Sequence, residues 1–235
     1  SMAALITFWA WRSGRLKRIQ GVDIRWLVLC FVVMAVLCKK WSGVGLMIIG
    51  LAAMGLTEKI RSPIWMYVVV LLPVGYMALF SMDIYRGEGI SNQIAAFSER
   101  RAHNLQFRLD NDALLVDKAM QRPIFGWGGW GRHRVSDDRG RDVAITDSAY
   151  GIHLGTNGLV GLTAITLVYA LPFIVFIRRY PLRSWLRPPA AMVVPFALIA
   201  GLHLTDNLFN AFPNAMYPMF AGGVTAFTLP RRGRR

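Results

Sequence analysis

The sequence predicts an all-α, polytopic membrane helical bundle of about six spans, with a long external loop that contains an amphipathic helix. Three observations lead there. Hydrophobic residues make up 54% of the chain and charged residues only 17%, with a mean hydropathy of +0.39, more apolar than a soluble domain of this size. The apolar residues also come in runs: residues 68–80 and 157–177 contain no charge at all. The third observation is where the charge lies. The segment 82–156 holds ten basic and ten acidic residues and is neutral, whereas the rest of the chain holds 17 basic and three acidic residues, the whole of the net +14.

Excess Lys and Arg between apolar spans marks the cytoplasmic side. A nucleic-acid-binding protein of this charge would carry it on a groove or patch, so no nucleic-acid partner is expected. Residues 2–11 are apolar but too short to span, and read as an interfacial helix or the tail of a span. Arg12, Arg15, Lys17 and Arg18 form the first cytoplasmic cluster. Spans are expected at 24–38, 43–56 and 64–81, then, after the loop, at 158–177, 190–203 and 216–228. Arg178, Arg179, Arg183 and Arg187 form the densest short basic loop, and the chain ends on Arg231, Arg232, Arg234 and Arg235. Counting back from that tail places both termini in the cytoplasm and the long loop outside. Three regions result: 1–81, an interfacial segment with three spans; 82–156, the external loop; and 157–235, three spans and a basic tail.

Lys39 and Lys40 fall outside in this topology, against the charge bias. They read either as functional cations or as snorkelling anchors. Cys30 and Cys38 share one apolar segment and are expected to be buried packing residues, not a disulfide.

Within the loop, residues 98–121 read as an amphipathic helix, with Leu105, Leu109, Val116 and Met120 near helical spacing and Pro123 ending it. A turn rich in Gly and Trp follows, 125–131. Next comes a charged hairpin-like stretch, 132–142, with Asp138-Arg139-Gly140 as its turn. Arg108 and Asp112 are four residues apart, and Arg101 lies seven before Arg108, so all three share roughly one helix face. An arginine there can hold phosphate bidentately, or it can simply form a solvated ion pair. Asp147, with Ser148 and Tyr150 beside it, stands just before the fourth span, as a proton acceptor or as a helix cap. Asp206, Asn207, Asn210 and Asn214 form a polar cluster at the outer end of the last two spans, a site wall or an interfacial turn, with His203 structural. His133 and His153 have no partners at metal-ligand spacing, so neither a metal nor another cofactor is expected. Ser148 lacks the Gly-x-Ser-x-Gly setting of a nucleophile.

Taken in order, several of these residues resemble the C-terminal half of the O-antigen ligase and O-antigen polymerase family. Arg108 stands fifteen residues before Pro123; Pro123-Ile124-Phe125-Gly126-Trp127-Gly128 fits the family's glycine motif, and Gly158-Leu159-Val160-Gly161 its span-opening motif. Lys39-Lys40-Trp41-Ser42 lies where the family tends to carry a Ser-Arg motif. One departure matters: Asp147 and Ser148 stand where the family has a His-Asn pair. The chain also offers fewer spans than such proteins commonly have.

The resemblance implies glycosyl transfer without a metal at the outer face of a bacterial cytoplasmic (inner) membrane. The donor would be a glycan on a polyprenyl diphosphate, and the acceptor a hydroxyl of a glycan or lipid-linked glycan. Asp147 would orient or deprotonate that hydroxyl, and Arg108 would stabilise the leaving diphosphate. Lys39, Lys40, Arg101, Arg132, Ser148, Tyr150 and Asp206 would contact substrate. Expected partners are these substrates, the lipid bilayer, and a biosynthetic complex or a missing N-terminal membrane half. A second reading from the same residues is a non-catalytic membrane subunit that binds lipid-linked glycan or a biosynthetic complex.

Overall fold

Each apolar run folds as a helix, because a helix satisfies its own backbone hydrogen bonds where water is scarce. The computed structural model describes every residue except Phe97, Trp130, Thr146, Phe212, Pro213 and 230–235, and leaves out the side chains of Glu88 and Ser91. In chain order, among the described residues, the elements are α1 (Met2–Arg12), the short hairpin β1 (Arg18–Ile19) and β2 (Val22–Asp23), α2 (Ile24–Leu37), α3 (Trp41–Ile60), α4 (Ile64–Ser81), α5 (Glu88–Ala95), α6 (Glu99–Ala119), α7 (Ala149–Arg179), α8 (Val194–Asp206) and α9 (Met216–Thr228). Strands β1 and β2 pair antiparallel, with Arg18 opposite Asp23.

The six apolar segments read from sequence therefore all fall on helices. Among the described residues three helices, α3, α4 and α7, are long and apolar enough to cross a membrane; α2 and α8 are apolar but shorter. No more than 39% of the apolar window of any of the three is buried. Most of each window is therefore apolar surface not buried within the chain, which water would not tolerate, and the chain is a helical membrane protein on that ground.

The chain groups into two compact units. The first comprises Ser1–Leu71, Val168–Asp206 and Asn214–Arg235, and the second Leu72–Leu167 and Asn207–Pro213. In the first unit α1 packs against α2, α3 and α8, and α8 packs against α3 and α9. Small residues allow the close crossings: a Cβ on Gly50 would stand 2.9 Å from Leu5 and 3.2 Å from Leu202, and one on Gly201 3.1 Å from Val70. Residues 2–11 are thus part of a packed helix, with Leu5 and Trp9 almost fully buried. Cys30 and Cys38 correct the sequence reading, since both are free and exposed, Cys30 on α2, whose only buried residue is Ile24, and Cys38 just after it.

The second unit is built on α6. Leu109, Val116 and Ala119 pack with Met77, Phe80, Tyr150, Leu154, Leu162 and Leu208 in one core, and Leu105 lies partly buried beside them. Met120, expected on the same apolar face, is exposed. Helix α5, not anticipated from sequence, lies against α6. Its start, Gly87, has φ 85° and approaches Leu109 so closely that a Cβ would stand 2.9 Å from that side chain. The expected hairpin turn is present. Asp137 N donates to Arg141 O at 2.9 Å and Val143 N to Val135 O at 2.9 Å, with Gly140 at φ 75°. The Asp137 carboxylate accepts the backbone N–H groups of Arg139 and Arg141, and the latter bond most of all holds its pKa below the usual value.

Candidate functional site

The site lies within the second unit, where the C-terminal half of α6 faces the segment leading into α7. Arg108 and Asp112 are one turn apart on α6, but they do not pair as a solvated couple. Arg108 Nη1 donates to Phe209 O at 3.0 Å, and its Nη2 lies 3.8 Å from Asp147 Oδ2. Both partners leave the guanidinium about half exposed, with a side-chain accessibility of 46%. Asp112 is buried instead, 8% exposed, and accepts a 2.5 Å hydrogen bond from Ser148 Oγ. Beside it Asn111 Oδ1 accepts from Ile145 N at 2.8 Å, so α6 grips the segment 145–148 at two points.

Burial pushes the Asp112 carboxyl up to about 7. The Ser148 hydrogen bond opposes this, the Asp147 charge adds to it, and the Arg108 charge opposes it. The site therefore combines the half-exposed Arg108 guanidinium, the half-exposed Asp147 side chain and a buried carboxyl whose pKa is raised to about 7. Such a set can hold an anion at Arg108 and take a proton at Asp147. The crevice that Arg108, Asp112, Asp147 and Ser148 line with Tyr76 and Leu208 has a free volume of about 10 Å³, at the lower limit for a single water.

Glycines join α7 itself to the turn after α6. Helix α7 is broken at Gly158, whose φ of 65° and ψ of −165° suit glycine alone. Into that break fits the turn after α6: Trp127 N donates to Gly155 O (2.8 Å) and Gly128 N to Thr156 O (2.9 Å). In return Leu159 N donates to Pro123 O (2.7 Å) and Val160 N to Ile124 O (3.2 Å). A Cβ on Gly158 would lie 2.3 Å from Ile124 O, and one on Gly126 2.6 Å from Gly158 N. The two glycine motifs singled out from sequence are thus the two halves of one backbone junction. Trp127 locks it, donating its Nε1–H to Lys118 O at 2.8 Å with the Arg122 guanidinium 4.4 Å from its ring.

The other expected site residues are placed as follows. Ser148 is buried and acts on Asp112. Tyr150, expected as a substrate contact, is 1% exposed within the apolar core, its ring edge-on to Phe80 at 6.2 Å. Arg101 is exposed and borders an open hollow with Ile94, Ser98 and Leu105. Arg132 is exposed beside Gly129. Lys39, Lys40 and Asp206 belong to the first unit. Lys39 (φ 52°) turns the chain between α2 and α3, Lys40 precedes α3, and both are exposed. Asp206 accepts from the Tyr217 hydroxyl at 3.1 Å, and His203 stacks on the Tyr217 ring at 4.0 Å. Asn214 caps α9 through Met216 N. Among the described residues the Asp147 side chain caps no helix.

Asp112 is the residue that sequence reading undervalued. Its spacing from Arg108 was visible, but which of its neighbours would cover it was not. His133 is buried against Gly155, and burial lowers its pKa. Among the described residues no three His, Cys, Asp or Glu side chains cluster. No protein-family model, curated protein or solved structure matches the chain.

Proposed function

We propose that the chain is a membrane glycosyltransferase that moves a glycan from a polyprenyl diphosphate to an acceptor hydroxyl at the outer face of a bacterial cytoplasmic membrane. In this reading α2, α8 and α9 complete six spans with α3, α4 and α7; both termini are cytoplasmic and the segment 82–156 is external. The observation that carries it is the convergence of Arg108, Asp147 and the Asp112–Ser148 pair on one crevice. The acceptor hydroxyl attacks the anomeric carbon, and the bond from that carbon to the diphosphate oxygen breaks. The electron pair leaves on the diphosphate, which Arg108 stabilises, and the hydroxyl proton passes to Asp147. Asp112 and Ser148 are positioning residues beneath it.

A second reading is supported by the small volume of the crevice: a non-catalytic subunit in which Arg108 and Asp147 hold the loop together. One experiment separates the two. Transfer of a polyprenyl-diphosphate-linked glycan is measured in reconstituted membranes for Asp147→Asn. Loss of most activity at unchanged thermal stability supports proton transfer. An active Asp147→Asn protein removes the base, and no transfer by the wild type with any lipid-linked glycan favours the subunit.

A further inference from the structure

One cavity of the first unit has no part in the site above. It encloses about 840 Å³ where α1 and α3 end, α4 begins and the basic loop after α7 passes. Its walls are apolar and fixed: Trp9 Nε1 donates to Ala191 O at 2.9 Å, Trp185 Nε1 to Tyr180 O at 2.8 Å, and Met54 and Met66 fill between them. Its polar side is incomplete. Arg61 and Arg183 line the cavity, and among the described residues neither forms an ion pair. Arg12 pairs with Glu58 Oε2 at 2.8 Å, but Glu58 Oε1 is buried without a hydrogen-bond partner, and so is Thr57 Oγ1. The threonine is informative by comparison. Thr7, Thr156 and Thr225 each return their hydroxyl to the carbonyl four residues back, at 2.7, 2.6 and 2.8 Å, the usual helical solution. Thr57 is 1% exposed and does not.

A buried hydroxyl and a buried carboxylate oxygen without partners are costly. A ligand for this cavity can be described by what would satisfy every group at once. The arginines require an anion, Glu58 Oε1 requires a hydrogen-bond donor, and the tryptophans require apolar bulk. A free phosphate supplies the anion and a P–OH donor but no apolar bulk, and its remaining charge would face the Glu58 carboxylate. We propose that the cavity binds a phospholipid whose headgroup ends in a hydrogen-bond donor, an ethanolamine or a glycerol. Its phosphodiester lies at Arg61 and Arg183, its ammonium or hydroxyl at Glu58 and Thr57, and the start of its acyl chains against Trp9 and Trp185. Basic pockets at the ends of spans stand at headgroup depth, which suits that occupant.

The test is lipid retention by the purified, delipidated protein in native mass spectrometry. It is titrated with phosphatidylethanolamine, phosphatidylglycerol and phosphatidylcholine of identical acyl chains, and separately with inorganic phosphate as competitor. Phosphatidylcholine has the phosphate but no donor, so the two donor lipids should be retained about tenfold more strongly, the scale of one charged hydrogen bond. The Arg61→Gln, Arg183→Gln double variant should lose retention of both. Thr57→Val, which keeps shape and removes the hydroxyl, should narrow the preference over phosphatidylcholine, and it serves if the double variant does not fold. Equal retention of the three lipids, displacement by millimolar phosphate, or a preference unchanged in Thr57→Val would overturn the proposal.

Discussion

The buried Asp112 makes a prediction about stability that the structure sizes. Its carboxyl is pushed from its ordinary 3.8 up to about 7, chiefly by burial. A shift of about three units, at 1.36 kcal/mol each, is a differential of about 4 kcal/mol, taken as a ceiling. Below pH 3.8 the folded and unfolded chains both hold the proton, and the group contributes nothing. Between 3.8 and about 7 the unfolded chain releases the proton while the fold retains it, so stability falls as pH rises. Above about 7 both forms are ionised and the full penalty stands. Asparagine has nearly the same volume and its Oδ1 still accepts from Ser148 Oγ, but it does not ionise. Asp112→Asn should therefore unfold later than wild type at about pH 8, by up to about 4 kcal/mol, and the gap should close by about pH 4. The assay is thermal unfolding in detergent followed by tryptophan fluorescence across that range. A midpoint difference that does not vary with pH would refute the argument, because it would mean that Asp112 is ionised in the fold throughout.

The same electrostatics predict that Asp147→Asn lowers the Asp112 pKa and Arg108→Gln raises it, read as the pH at which the protonated carboxyl infrared band of Asp112 disappears. Arg108→Ala, and also Arg108→Lys, should abolish glycan transfer while expression stays normal, since lysine keeps the charge but lacks the planar fork that grips a diphosphate; full activity in Arg108→Ala would remove this residue from the site. Gly158→Ala should reduce the yield of folded protein in fluorescence-detected size exclusion. The backbone conformation alone costs about 1–3 kcal/mol, and the added methyl would displace the Ile124 carbonyl. In a background with Cys30 and Cys38 replaced by alanine, cysteine at the exposed Ser136 should react with an impermeant maleimide in intact cells, and labelling only after lysis would invert the topology.

The helices were legible because the apolar runs are long and the charge between them is segregated. The amphipathic α6 was legible from its period, since Leu109 and Val116 recur on one face. What periodicity does not carry is what covers a given face. Asp112 reads as the partner of Arg108 at a separation of four, yet Ser148, thirty-six residues away, claims it. The cysteines read as buried because their neighbours are apolar, but α2 is peripheral and turns them outward. Tyr150 read as polar and near the site, but the Phe80 contact seals it into the core. Helix α5 escaped notice because it is short: its apolar face is marked only by Ile90 and Ile94, four residues apart, in eight residues that also include glycine, serine and asparagine. The glycine motifs were visible singly, and their meeting was not, because a backbone contact between Gly126 and Gly158 leaves no trace in side-chain pattern.

That junction also bears on how this protein can be cut and recombined. The break at Gly158 leaves Leu159 and Val160 with amide protons that the preceding turn of α7 does not take, and Pro123 and Ile124 take them. A backbone amide left without a partner away from water costs about 1–3 kcal/mol. The turn after α6 therefore finishes the hydrogen bonding of α7, much as a keystone closes an arch it does not otherwise belong to. A chimaera that swaps residues 82–156 alone would part Pro123 from Leu159 and leave the arch open, so the transferable piece is the whole compact unit, Leu72–Leu167 with Asn207–Pro213.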